Sequence, residues 1–252
     1  MLVMWGVGFA LVLIRTSAML VAAPMIGDYV PGPILAALSG LFAAVAAFPL
    51  GPYRGSLDMS ELVTAALSEA TIGILIAFTL RMLFATFAAA GQLAGVQMGM
   101  AFAGTVDPMM QEETVIVTRL VLALASLGFV SAFGVESFLH TWLQSFTWMP
   151  RAGIVVLPSI GALTHLLSGV LWSALSLAWP VFAGMILVNA AVAFTARAAP
   201  ELQVLNLVFG LLLLVGLFLL RDLLTGSVLL ASDLATTFPA RVQALFSSAW
   251  GG

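Results

Sequence analysis

The chain has 252 residues, of which 62% are hydrophobic and 8% charged, with eight Arg, eleven Asp or Glu, no Lys and a net charge of −3. An ordinary soluble domain carries roughly 25% charged residues, so a water-covered globule is excluded; the chain reads as a polytopic membrane protein or a subunit buried in a large apolar assembly. The charge balance gives no reason to expect nucleic acid; the absence of Cys excludes disulfide and thiolate chemistry, and His140 and His165 are too far apart in sequence to suggest a metal site.

A membrane-spanning helix needs about 20 apolar residues. The first run is Leu2 to Ala23. It lacks a basic leading region and Arg15 interrupts it, so it reads as an uncleaved span, although Val21-Ala22-Ala23 has the form of a cleavage site. Pro24, Gly27, Asp28, Pro31, Gly32 and Pro33 make a breaker-rich turn. The second run is Ile34 to Leu50, closed by Gly51, Pro52 and Arg54. Asp58 with Glu61 three residues later marks a helix start. The third run, about Ala65 to Ala103, is far longer than one straight span, and the fourth is Val115 to Val135. Residues 136–158 are richer in polar groups and Trp and read as a loop. The fifth run, Ile160 to Ala196, is again overlong and contains Pro180, which removes a backbone donor and predicts a kink. After Arg197-Ala-Ala-Pro200-Glu201 comes the last run, Leu202 to Leu220, and then a weakly hydrophobic tail that reads as an amphipathic helix.

The expected fold is therefore a single all-α membrane domain of about six hydrophobic elements, two of them overlong and kinked. Overlong elements tilt, bend or project from the bilayer. With six spans, both termini share a side with Arg54, Arg151, Arg221 and Arg241; this excess over Arg197 and Arg119 points to cytoplasmic termini.

Arg15, Arg81 and Arg119 fall inside or at the ends of apolar runs. In the window Ile72 to Ala90, Arg81 costs roughly 2.5–3.5 kcal/mol, and nine Ile, Leu and Phe return about 0.3–0.6 each, so insertion is near break-even. Arg81 is thus expected to face protein or water. Glu69 lies about 18 Å away along one helix, so the partner of Arg81 must come from elsewhere. A proton-coupled transporter usually places acids within its spans. Here Glu69, Asp107, Glu112, Glu113, Glu136, Glu201 and Asp222 read as lying near ends or in loops, which favours anchoring or inter-helix ion pairs for the arginines. Glu136 and His140, one turn apart, read as a surface contact. No Ser/His/Asp set, phosphate loop or HExxH helix is present, and the chain is not expected to be an enzyme or to need a cofactor.

The stretch Gly91 to Thr114, GQLAGVQMGMAFAGTVDPMMQEET, departs from a plain anchor. Gly91, Gly95, Gly99 and Ala103 recur every four residues, a spacing that lets helix backbones approach closely. Met98, Met100, Met109 and Met110 cluster about the following break, either as core filling or as a deformable seal. Asp107-Pro108 with Glu112 and Glu113 reads either as a helix start or as a loop held within a cavity.

The run GQLAGVQMGMAFAGTVDP resembles the G-Q-L-x-G-x-Q-M-G-x-x-F-A-x-x-x-D-P pattern of the FliR family of flagellar biosynthesis proteins. Phe78-x-x-Arg81-x-Leu83-Phe84 is similar to that family's approach to the segment. So in type and order are Arg15-x-Ser17, Pro24, Gly27 and Pro31, and Leu187-x-Asn189 with Arg197-Ala-Ala-Pro200-Glu201-Leu202. The likeness covers most of residues 10–220. The family often continues with G-F-P-x-K, whereas this chain reads Leu207-Val208-Phe209-Gly210-Leu211; its Met109-Met110-Gln111-Glu112-Glu113 is also more acidic and richer in Met than usual.

The resemblance implies a subunit of the type III export gate in the bacterial inner membrane, at the flagellar basal body. It implies assembly with FliP-like and FliQ-like subunits, FlhA and FlhB as neighbours, and passage of unfolded flagellar proteins. It implies a FliP-like part to about residue 158 and a FliQ-like hairpin and tail from about 159. It also implies a channel plug at Gly104, Thr105, Val106, Asp107, Pro108, Met109, Met110, Gln111, Glu112, Glu113 and Thr114. An injectisome homologue secreting virulence proteins and an unrelated multi-pass transporter are the other readings.

Overall fold

The computed structural model describes residues 1–24, 26–55, 57–99, 113–150, 158–198 and 204–247. Among the described residues there are helices and no strands: α1 (Leu2–Ala22), α2 (Gly32–Leu50), α3 (Met59–Gln97), α4 (Glu113–Ser131), α5 (Gly134–Trp148), α6 (Ile160–Ala198) and α7 (Val204–Ser247). Five are long and apolar enough to cross a membrane, and α4 with α5 form a further pair bent by 66°. That matches the expected six hydrophobic elements.

The ends follow from local chemistry. Pro31 and Pro33 sit at the start of α2, where a missing N–H costs nothing. Gly51, at φ 71°, closes α2 with its N–H on the Ala47 carbonyl. The Asp58 carbonyl accepts the Leu62 N–H at 3.0 Å, and Glu61 lies in the first turn of α3, as the Asp58/Glu61 pair led one to expect. Buried hydroxyls are satisfied without leaving their own helices: Thr16 donates to the Val12 carbonyl at 2.7 Å, Ser39 to Leu35 at 2.7 Å and Thr79 to Leu75 at 2.8 Å.

Four expectations need correction. Residues 134–148 are helical, not loop: their polar groups punctuate an amphipathic pattern that buries Phe138, Thr141, Trp142, Ser145 and Phe146. The third run is not one unbroken helix, because α3 ends at Gln97 and Gly99 turns left-handed; residues 100–103 lie outside the described residues. The tail from Arg221 is no separate element but continues α7, since a charged pair interrupts hydropathy without breaking a helix. Finally, Glu69 and Asp222 lie within long helices, not near ends or in loops, and Glu69 is buried.

The chain divides into two compact units. The first comprises Met1–Met82, Val135–Leu166 and Thr236–Gly252; the second comprises Leu83–Gly134 and Leu167–Ala235. In the first unit, Leu11, Tyr53 and Ala65 form a core cluster, flanked by Met4, Val7, Leu62 and Ala66. Aromatic contacts extend it: Phe42 lies 6.1 Å from Trp142, Trp142 5.7 Å from Phe146, and Phe138 5.8 Å from Phe238.

The polar centre of this unit is Arg15. Its side chain is 0% exposed and its partner Glu69 is 1% exposed. Arg15 Nε donates to Glu69 Oε2, Nη1 to Ser145 Oγ at 3.0 Å and Nη2 to the Met149 carbonyl at 3.0 Å. The guanidinium also lies 4.1 Å from the centroid of the Phe146 ring. Gly73, one turn beyond Glu69, has no side chain to push α1 away: a Cβ there would collide with the Arg15 carbonyl and stand 3.1 Å from Ala18 Cβ. The charge thus links α1, α3 and α5. Arg81 has a different setting. It donates to the Ala22 carbonyl at 3.2 Å and pairs with Asp28 at 2.9 Å, both ions half exposed. Its partner does come from outside α3.

Removing one member of a buried ion pair strands the other charge. Arg15→Met is expected to destabilise the chain by about 3–5 kcal/mol, and Arg15→Met with Glu69→Leu by far less. Arg81→Gln should cost at most about 1 kcal/mol, because its pair is solvated. Unfolding of the purified chain in detergent, followed by circular dichroism, measures the ranking; equal losses for Arg15→Met and the double variant would contradict it.

Candidate functional site: the helices flanking residues 100–112

The segment singled out by sequence follows α3 and precedes α4 in the chain. Of the proposed plug, Gly104, Thr105, Val106, Asp107, Pro108, Met109, Met110, Gln111 and Glu112 lie outside the described residues, as do Met100 and Ala103. Glu113 and Thr114 belong to the first turn of α4, so the loop reading does not extend to them.

Gly91 lies where α3 meets α4. A Cβ at Gly91 would stand 2.7 Å from the Thr118 Cα, so the two backbones are separated only by the space a side chain would take. Gly95, one turn on, is buried. Gly99 is not on the helical face. It has φ 80°, its N–H donates to the Val96 carbonyl at 3.1 Å, and a Cβ there would meet nothing within 4 Å. Its part is to end α3 in a left-handed turn, a conformation costly for residues with a Cβ. The every-four spacing alone does not separate a packing glycine from a terminating one.

Met98 is buried, and its side chain fills a notch left by Gly216 of α7: a Cβ at Gly216 would lie 2.6 Å from Met98 Cγ. This is the core-filling role. Farther from the segment, Gly128 lets α4 approach α7, with a Cβ position 2.9 Å from the Val228 carbonyl oxygen. Phe84 and Phe129 meet edge-to-face at 5.5 Å between α3 and α4. The Gly128 and Gly216 contacts escaped the sequence reading. Single glycines in apolar runs carry no periodic signal, and their partners are about 100 residues away.

Chemistry in the described part is sparse. No three His, Asp or Glu side chains converge there as metal ligands would. Glu136 and His140 are both exposed. A cavity of about 480 Å³ in the first unit is lined by Leu50, Pro52, Tyr53, Arg54, Gly55, Phe146 and Pro150, with one cation and no carboxylate to act with it.

Gly91→Leu is expected to prevent stable packing of α3 on α4. Gly91→Ala should cost about 1–3 kcal/mol through overpacking. Gly40→Ala, where a Cβ meets open space within α2, should stabilise by about 0.5–1 kcal/mol. Thermal unfolding of the three variants in detergent checks the order; a Gly91→Leu variant as stable as the parent would show that the helices do not meet there.

Comparison with known proteins agrees with this frame. The description of bacterial export proteins, family 1, matches residues 7–237. Among similar proteins, the flagellar biosynthetic protein FliR of Escherichia coli K12 is 29% identical over 223 residues, covering 84% of this chain and 82% of its own. FliR of Caulobacter vibrioides is 28% identical, covering 89% and 91%, and FliR of Bacillus subtilis is 25% identical, covering 78% of each. The matches take in both flanking helices and extend well beyond the central motif. Matched over most of its length and built of helices able to span a bilayer, the chain is a membrane-embedded member of family 1 of the bacterial export proteins, the family to which the FliR resemblance pointed.

Proposed function

We propose that this chain is a non-enzymatic subunit of the flagellar protein export gate. It would form, with FliP-like and FliQ-like subunits, the channel that unfolded flagellar proteins traverse. The observation behind this is the family match over residues 7–237, together with relatives that carry the name flagellar biosynthetic protein FliR. At the coarser level the chain is a component of the flagellar export apparatus. The partners FlhA and FlhB, the inner membrane and the basal body belong to the same reading.

The plug role of residues 104–114 rests on the resemblance and is supported by the flanks. Gly91 lies about 9 Å before the end of α3, and Thr118 about 8 Å after the start of α4. Their contact fixes both anchors of the segment close to its ends. A short segment on a fixed base blocks a path in one position and clears it when displaced, without unfolding of the helices that hold it. Export would then need no bond chemistry from this chain.

Deleting Thr105–Gln111 is expected to raise small-ion leakage through the assembled complex in planar bilayers by severalfold. Unchanged leakage with intact assembly would refute the plug. The gate reading itself predicts co-purification with FliP-like and FliQ-like chains after expression of the operon; a stable lone monomer with transport activity would favour a transporter instead.

A further inference from the structure

We infer that the cavity of the first unit receives one acidic side chain, together with an apolar neighbour, from another protein chain. Its described lining offers two hydrogen-bond donors, Arg54 and Tyr53, and no carboxylate. Arg54 is exposed and forms no ion pair or side-chain hydrogen bond among the described residues. Tyr53 is only 4% exposed, yet its phenol has no hydrogen-bond partner among the described residues. Gly55, also in the lining, leaves room for the phenol oxygen, since a Cβ there would collide with it. A guanidinium only donates and a phenol has one proton to give, so the group they can bind together is an acceptor with negative charge. The remaining lining, Leu50, Pro52, Phe146 and Pro150, is apolar. The matching ligand carries an anionic tip on an apolar stem.

The walls are set before any ligand arrives. The Tyr53 N–H donates to the Met4 carbonyl at 3.0 Å, and Gly51 makes the turn after Leu50 at φ 71°. Phe146 is held by the Arg15 guanidinium, 4.1 Å from its ring centroid, and by Trp142 at 5.7 Å. Pro52 and Pro150 have restricted backbones. A pre-formed site loses little binding energy to ordering itself. The volume, about 480 Å³, lies within the small-ligand range of roughly 300–1,000 Å³ and exceeds what a carboxylate alone requires. Access of water decides where the anion comes from. A free anion or a lipid phosphate would meet the exposed Arg54 with water still reaching the pair, and a solvated pair adds little affinity. A protein chain that carries the carboxylate and rests on the apolar lining excludes that water and strengthens the same pair.

The site is independent of any plug at residues 104–114 and stands or falls without it. Its test uses the assembled complex in native membranes, with a diazirine analogue of leucine in place of Leu50. After irradiation, mass spectrometry should locate the adduct on another chain, within a few residues of an Asp or Glu. Arg54→Glu should lower the adduct yield about tenfold, as loss of a sealed charge pair does. A Lys in place of the acid found beside the adduct should restore it. Tyr53→Phe should lower the yield severalfold. Thermal unfolding of the lone chain in detergent should be the same for Arg54→Glu as for the parent, because Arg54 has no partner among the described residues. An adduct confined to phospholipid or to this chain, or one on a stretch with no acid nearby, would overturn the site. So would a yield unchanged in Arg54→Glu, or no adduct from the fully assembled complex.

Discussion

A guanidinium with no access to water must be neutralised where it stands, and the first unit is arranged around that requirement. Arg15 is the largest fully buried side chain described. Its positive charge is met by Glu69, its remaining N–H groups by Ser145 and the Met149 carbonyl, and its face by the Phe146 ring. Each partner lies on α3 or on α5 and its C-terminal end, so satisfying one charge sets the position of two helices against α1. Gly73 is part of the same solution, because only a bare backbone lets α1 come near enough for Arg15 to reach Glu69. Such a pair is a poor source of net stability, since desolvation of both ions offsets much of their attraction. Its effect is selective: arrangements that leave either ion unpaired are strongly disfavoured.

The second unit reaches definition by a different route. It has no comparable buried charge among the described residues, and its helices meet at glycines. Gly91 admits Thr118, Gly128 admits Val228, Gly184 admits Leu219 and Gly216 admits Met98. Where lipid surrounds a helix, burial of apolar surface does little to favour one neighbour over another, and close van der Waals fit takes its place. A methionine in a glycine notch suits that need, because its unbranched side chain adapts to an irregular gap. The helices on either side of residues 100–112 meet by this kind of contact.

These two devices agree with the role of an export component. Large apolar side chains remain exposed over the helices, with Phe48 83% exposed. Surfaces of this kind belong against lipid or neighbouring subunits, not water.

Much was legible in the sequence alone. Composition determined the membrane class, because 8% charged residues cannot cover a soluble globule of this length. Hydrophobic runs located the six elements, since a bilayer imposes the same length on any spanning helix. The Gly91–Pro108 motif led to the family. The insertion cost of Arg81 showed that it needed a partner outside its own helix. Only the tertiary structure decided which partners meet. Arg15 and Glu69 are 54 residues apart, and Arg15 and Ser145 are 130 apart; no local pattern records such pairings. The structure also separated Gly91, which packs, from Gly99, which ends a helix, although both stand in one periodic stripe. Sequence spacing reports which side of an ideal helix a residue occupies. Whether the helix persists that far, and what lies opposite, depends on contacts between segments distant in the chain.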